Sequence, residues 1–193
     1  MAEISYDNTL VVGTSGGPGA GKSTTASLVF GMLKSLGIDA ELAPEFAKDK
    51  TWEGSKHVLA NQPYILGKQL HRLWRLNKKV EVILTDSPLF LSAIYNNGYG
   101  DELDALALRL YNDFDNVNYL MQRVKEYNPN GRGQTKEEAV DIDVKVRDFL
   151  DKHEIEYFER PGDLLGACMI TEEIYYKLRS KRLRATITLT VEE

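Results

Sequence analysis

The clearest chemistry in the sequence lies in Gly16, Gly17, Pro18, Gly19, Ala20, Gly21, Lys22 and Ser23, with a second hydroxyl following at Thr24. The order is Gly, four residues, Gly, Lys, then Ser, which is the spacing of a phosphate-binding loop. Glycines let successive backbone N–H groups turn inward around an anion with no side chain in the way. A helix opening directly after such a loop points the positive end of its dipole at the same place. Lys22 supplies a point charge for the outer phosphates, and the Ser23 hydroxyl supplies a hard ligand for Mg²⁺. Residues 16–24 are therefore the expected cradle for a nucleoside triphosphate, with ATP and Mg²⁺ as the cofactors.

Four further side chains fit chemistry on a bound triphosphate. Glu45 follows Pro44 directly after a short apolar run, at the carboxyl edge of a sheet, where ligands bind in open α/β folds. Asp86 ends another apolar run, the place where phosphate-loop proteins hold the Mg²⁺ shell, so Ser23 and Asp86 are the candidate metal ligands. Asp86 and Ser87 before Pro88 also suit a plain helix cap. Residues 122–134 combine Arg123, Lys125 and Arg132 with Asn-Pro and Asn-Gly turns and two glycines. A segment that closes over phosphates requires positive charge and hinges, and Arg123 and Arg132 would steady the transferring phosphoryl group. An exposed polar loop has the same composition.

The elements that must position these residues follow from hydropathy. Residues 10–13 form a short buried-type strand, and 24–36 carry Leu28, Val29, Met32, Leu33 and Leu36 at helical spacing, with Gly37 as the stop. A second strand is expected at 38–42 and a third at 80–85. Between them, 48–61 reads as a polar flap in which Trp52 either stacks on a planar ring or anchors the loop, and in which His57 is surface. Residues 63–79 make an amphipathic helix whose apolar stripe contains Gln69, a polar side chain that must find a partner in the protein or on a substrate base. Residues 101–114 are helical and carry Arg109, and 116–121 alternate as the fourth strand. Thr135 caps a helix over 135–152, 156–158 form a fifth strand, and 170–184 are helical with Lys177, Arg179, Lys181, Arg182 and Arg184 toward the end. The Thr alternation over 185–191 predicts an added edge strand.

At 193 residues the chain suits a single domain over 1–193, and a net charge of −5 argues against a surface that generally coats nucleic acid. The lone Cys168, beside Met169 and Ile170, reads as a core filler and excludes an internal disulfide. No apolar run reaches the length of a membrane span and no signal-peptide pattern opens the chain, so a cytoplasmic protein with no membrane partner is expected.

With the loop, Glu45, Asp86 and the Arg-rich segment in this order over residues 9–160, the chain resembles the P-loop kinases of nucleosides and nucleotides. It looks most like the ribosylnicotinamide-kinase-like ATPase/kinase group and the deoxynucleoside kinases. Pro44-Glu45 resembles the position of the deoxynucleoside-kinase catalytic carboxylate, and Gly131-Arg132 looks like the lid. The arginine those kinases carry after the strand-end acid is Ser87 here. The resemblance implies an α/β three-layer fold with a five-stranded parallel sheet in order 2-3-1-4-5 and helices on both faces. It also implies transfer of the ATP γ-phosphoryl group to a hydroxyl of a nucleoside-like acceptor, with Lys22, Glu45, Asp86, Arg123 and Arg132 as the catalytic set and either Glu45 or Asp86 as the base. Phage kinases acting on 5-hydroxymethyluracil in DNA are similar compact P-loop proteins, which makes DNA an alternative substrate. A nucleotide-hydrolysing switch or ATPase, with Glu45 positioning water, is the other alternative.

Overall fold

The computed structural model describes residues 6–130 and 134–191. Its centre is a parallel sheet of five strands: β1 (Leu10–Ser15), β2 (Ala40–Ala43), β3 (Val82–Thr85), β4 (Asp115–Gln122) and β5 (Tyr157–Pro161), in the order β2-β3-β1-β4-β5. That is the order expected from the sequence. Parallel strands require crossovers, and helices supply them: α1 (Lys22–Ser35), α2 (Phe46–Trp52), α3 (Gln62–Trp74), α4 (Leu91–Ile94), α5 (Gly100–Asn112), α6 (Lys136–Lys152) and α7 (Leu164–Val191). A 3₁₀ turn, Lys56–Ala60, joins α2 to α3.

The sheet is covered on both faces, which is why β1 and β3 are buried without a break. Alternate side chains point to opposite faces. Leu10, Val12, Val82, Leu84, Tyr119 and Met121 pack with Val29 and Leu33 of α1 and with Ala167, Ile170 and Ile174 of α7. Val11, Ile83 and Leu120 pack the other way, with Leu66 and Leu73 of α3, Leu103 and Ala107 of α5, and Val146 and Leu150 of α6. Thr135 caps α6 as the sequence predicts: its hydroxyl accepts the Glu138 N–H at 3.2 Å, and the Glu138 carboxylate accepts the Thr135 N–H at 2.7 Å. Gly37 ends α1 with φ +77°.

Two expectations are corrected. Residues 185–191 form no edge strand but continue α7. A helix already formed gains one hydrogen bond for each added residue, whereas an edge strand must find a partner outside itself. Cys168 is exposed, not a core filler. The phase of α7 turns Ala167, Ile170, Thr171 and Ile174 inward and leaves Cys168 and Met169 outside.

In-register pairing brings the strand ends together at one edge. Gly13 and Ala43 both pair with Thr85, and Ser15 pairs with Leu120. The residues just beyond β1, β2, β3 and β4, including the phosphate loop, Glu45, Asp86 and Arg123, are thereby gathered at the carboxyl edge of the sheet.

Candidate active site

The loop between β1 and α1 has the backbone that an anion site requires. Gly16, Gly19 and Gly21 take φ of +130°, +80° and +102°, in the region L side chains avoid. The first turn of α1 carries no acidic residue, so nothing on the helix competes with a phosphate at its N-terminus. The loop is also wedged from behind. A Cβ on Gly162, in the β5–α7 turn, would lie 1.8 Å from the Ala20 carbonyl oxygen, so only glycine permits that approach. Pro18, Gly19, Gly21, Lys22, Ser23 and Thr24 line a cavity of about 550 Å³, while Gly16, Gly17 and Ala20 are buried behind that wall.

Glu45 lies on the wall of the same cavity. Its own N–H donates to Asp86 Oδ1 at 2.7 Å, so the acid at the end of β3 fixes the backbone of the acid at the end of β2. Asp86 is buried. Gln69 completes the corner: its Oε1 accepts the Phe46 N–H at 3.0 Å, and its Nε2 donates to Thr85 Oγ1 at 3.2 Å. Its polar requirement is met within the protein, which removes it from the residues open to a substrate base. Arg72, also on α3, donates to the Pro44 carbonyl at 2.8 Å and pairs with Asp49. The helix predicted over 63–79 thus acts as the brace that holds Glu45.

Charge in the site is strongly coupled. Burial pushes the Glu45 carboxyl above its ordinary value, against the pull of the Lys22 ammonium and with a further push from Asp86. Burial pushes the Lys22 ammonium down, while Glu45, Asp86 and Asp143 oppose that shift. Lys22 Nζ donates to the Gly17 carbonyl at 3.1 Å, curled back onto its own loop. Burial, helped by Glu45 and Asp143, also raises the Tyr95 phenol, keeping it a proton donor.

Arg123 does not stand above the cavity as the sequence suggests. It lies against the loop from the α6 side, with Nη2 2.8 Å and Nε 3.1 Å from Asp143 Oδ2 and Nη1 donating to the Pro18 carbonyl at 2.9 Å. An acid on α6 that carries no signal in the sequence anchors it there. Arg132 lies outside the described residues, although Asn130 and Gln134 on either side of that gap line the cavity. Tyr127 packs against Gly19 and donates to the Gln134 carbonyl at 2.6 Å, so the described part of the segment does run beside the loop.

Further residues line the cavity, and of these only Trp52 and Ser87 stood out in the sequence. Lys48 reaches Ser23 Oγ at 3.3 Å. Trp52, Leu59, Ile65, Leu91 and Tyr95 form an apolar and aromatic chamber in the same cavity as Glu45, with Thr51, Gln62, Ser87, Ser92 and Asn97 as polar points. Trp52 is 67% exposed and lines this chamber, so it is not an anchor for the loop. Arg109 is a surface residue pairing with Asp113 at 3.7 Å, and His57 is exposed. The side chains of Lys181, Arg182 and Arg184 lie outside the described set, and no described helix is long and apolar enough to cross a membrane.

A glycine loop between the central strand and its helix, in a 2-3-1-4-5 parallel sheet, defines a P-loop NTPase fold. Residues 11–164 match the family model described as AAA domain, and the chain belongs to that family. Among solved structures, a mutant of the APS kinase of Mycobacterium tuberculosis is similar at 22% identity, covering 75% of this chain and 99% of that one with a TM-score of 0.40. No curated relative matches the sequence.

Proposed function

We propose that the protein transfers the γ-phosphoryl group of ATP to a hydroxyl of a small, ring-bearing, nucleoside-like acceptor. The observation that carries this reading is that one cavity is lined by the phosphate loop, by Glu45 and by a set of apolar and aromatic side chains. Its volume suits one small molecule bound beside the triphosphate.

Loop amides and Lys22 hold the β- and γ-phosphates and orient the γ-phosphorus toward the chamber. Glu45 accepts the proton of the acceptor hydroxyl as that oxygen attacks. A carboxyl raised by burial is a better base than one in water, and the neighbouring Lys22 offsets the charge it carries. Glu45 is favoured over Asp86 as the base. Asp86 has one oxygen committed to the Glu45 N–H and its carboxylate assigned to the metal, whereas Glu45 lines the cavity with its carboxyl uncommitted to an ion.

The Ser23 hydroxyl and the Asp86 carboxylate are hard oxygen donors of the kind Mg²⁺ selects, and they fit an ion that keeps most of its ligands as water and phosphate oxygens. When bound there, Mg²⁺ would neutralise charge on the phosphate oxygens.

The test is a screen of nucleosides, nucleotides and hydroxymethylated DNA for acceptance of labelled phosphate from γ-labelled ATP in magnesium, with Lys22→Ala as the blank. Label on a free nucleoside is the expected result. Label released only as inorganic phosphate, whatever acceptor is supplied, would refute transfer and leave hydrolysis.

A further inference from the structure

The reaction uses the cavity side of the phosphate loop, while the other side is held by hydrogen bonds that no chemical step requires. The Gly17 N–H donates to Asp143 Oδ1 at 2.5 Å. The Gly17 carbonyl accepts from Lys22 Nζ at 3.1 Å, and the Pro18 carbonyl accepts from Arg123 Nη1 at 2.9 Å. These groups belong to consecutive peptide units in the most glycine-rich part of the chain, where ordering the backbone costs the most entropy. Asp143 Oδ2 then takes Arg123 through Nη2 and Nε, and Nη2 also reaches the Ala139 carbonyl at 3.3 Å. Both side chains are largely covered, at 14% and 25% exposure for Arg123 and Asp143.

We infer that Asp143 is a positioning residue of the nucleotide site, forming with Arg123 a charge-neutral strut that holds the first half of the phosphate loop in its binding shape. The inference rests on the reading that this loop binds a nucleoside triphosphate. Its distinctive feature is the sign of the charge. A carboxylate hydrogen-bonded to the loop repels phosphates unless a cation cancels it, and Arg123 is that cation. Asp143 is therefore useful only when paired. Removing Arg123 takes away an anchor and also leaves an uncompensated negative charge beside the phosphates. Removing Asp143 takes away an anchor but leaves a cation, which favours phosphates.

The two losses therefore do not add. Equilibrium titration of the full chain with a fluorescent N-methylanthraniloyl ATP in magnesium, without acceptor, reads this directly. Arg123→Ala is expected to weaken binding about a hundredfold and Asp143→Ala about tenfold, on the scale of charge-assisted hydrogen bonds. The double variant Arg123→Ala/Asp143→Ala is expected to recover to within about threefold of Asp143→Ala. A structural role alone predicts the opposite order, with the double variant weakest. Asp143→Asn keeps the side-chain shape and an acceptor for the Gly17 N–H but gives up the charge that grips Arg123, so it tests the pair even if Asp143→Ala folds poorly; a loss of about fivefold is expected, the released Arg123 anchor on the Pro18 carbonyl outweighing the attraction of the freed cation for phosphate. Asp141→Asn, an exposed acid on the same helix, is the matched control and should bind as the parent does. Parent-like binding by Asp143→Asn, or additive loss in the double variant, overturns the inference while leaving the functional reading intact. A parent chain that does not bind the probe sinks both.

Discussion

Glu45→Gln separates chemistry from binding more sharply than any other single change. The amide keeps the size of the side chain and leaves untouched the Glu45 N–H bond to Asp86 at 2.7 Å, so the corner it occupies should persist. It can no longer accept the acceptor's proton. Loss of a positioned general base lowers turnover by about 10²- to 10⁴-fold, or about 3–5.5 kcal/mol in the barrier. ATP affinity should hold or rise slightly, because a negative charge near Lys22 and the phosphates is removed. The parent kcat should climb with pH through an apparent value above the ordinary glutamate value of about 4.3, since burial raises this carboxyl, and the variant should lack that limb. Stability moves with the same group. A raised folded-state value means that the fold holds the Glu45 proton more tightly than the unfolded chain does. The contribution is therefore fully present below the unfolded value and is lost as pH rises through the folded one. Glu45→Gln should be neutral in urea unfolding near pH 4 and stabilising near pH 8. Turnover within about threefold of the parent, measured by coupled ADP release with a competent acceptor, would refute Glu45 as the base. A variant less stable than the parent at pH 8 would refute the electrostatic account of its environment.

Other perturbations test the scaffold and the acceptor chamber. Gln69→Leu strands the buried Phe46 N–H and should cost about 1–3 kcal/mol in urea unfolding, because the partner is removed without removing the need for one. Gly162→Ala places a Cβ against the Ala20 backbone and should weaken nucleotide binding at least tenfold and lower Tm. Gly31→Ala on α1, where nothing lies within 4 Å, should instead stabilise by about 0.5–1 kcal/mol. Trp52→Ala should raise the KM for acceptor about tenfold while leaving the KM for ATP within about twofold, a split read from steady-state kinetics. Equal effects on both would remove Trp52 from the acceptor chamber.

The parts of the molecule that were readable in advance are those set by neighbours in sequence. The phosphate loop is a contiguous pattern whose glycines are required by the positive φ at Gly16, Gly19 and Gly21. The Thr135 cap is decided within four residues by Glu138. The apolar runs of β1 and β3 reflect burial on both faces and predicted interior strands correctly. What was not readable depends on partners brought together by the fold. Asp143 meets the Gly17 N–H across 126 residues, and on α6 it looks like any other acid of a solvated helix face. Gln69 signalled only that it needed a partner; the identity of that partner required the α3 brace to be seen against β3. The Thr alternation over 185–191 matched a strand period, but alternation records which side chains could share a face and says nothing of whether a sheet edge is there to receive them.

The choice between transfer and hydrolysis turns on what lies on the far side of Glu45 from the loop. An enzyme that activates water gains from a small polar niche, since an ordered water needs two to four polar partners. Here the cavity wall that carries Glu45 also presents Leu59, Ile65, Leu91, Trp52 and Tyr95, with Thr51, Gln62, Ser87, Ser92 and Asn97 set among them. Gln62 already donates to the Leu59 carbonyl at 2.8 Å, which leaves its carbonyl oxygen to accept. Such a mixed surface offers apolar and aromatic area to a planar organic group, and polar points that can orient it. The cations near this chamber, Lys22 and Lys48, both sit at the phosphate-loop end, against the Gly17 carbonyl and the Ser23 hydroxyl. Among the described lining residues these cations are thus the ones beside the phosphate loop, where the proposed donor's phosphates would lie. On the proposed reading, that placement predicts that in the labelled-phosphate screen a free nucleoside outcompetes its monophosphate.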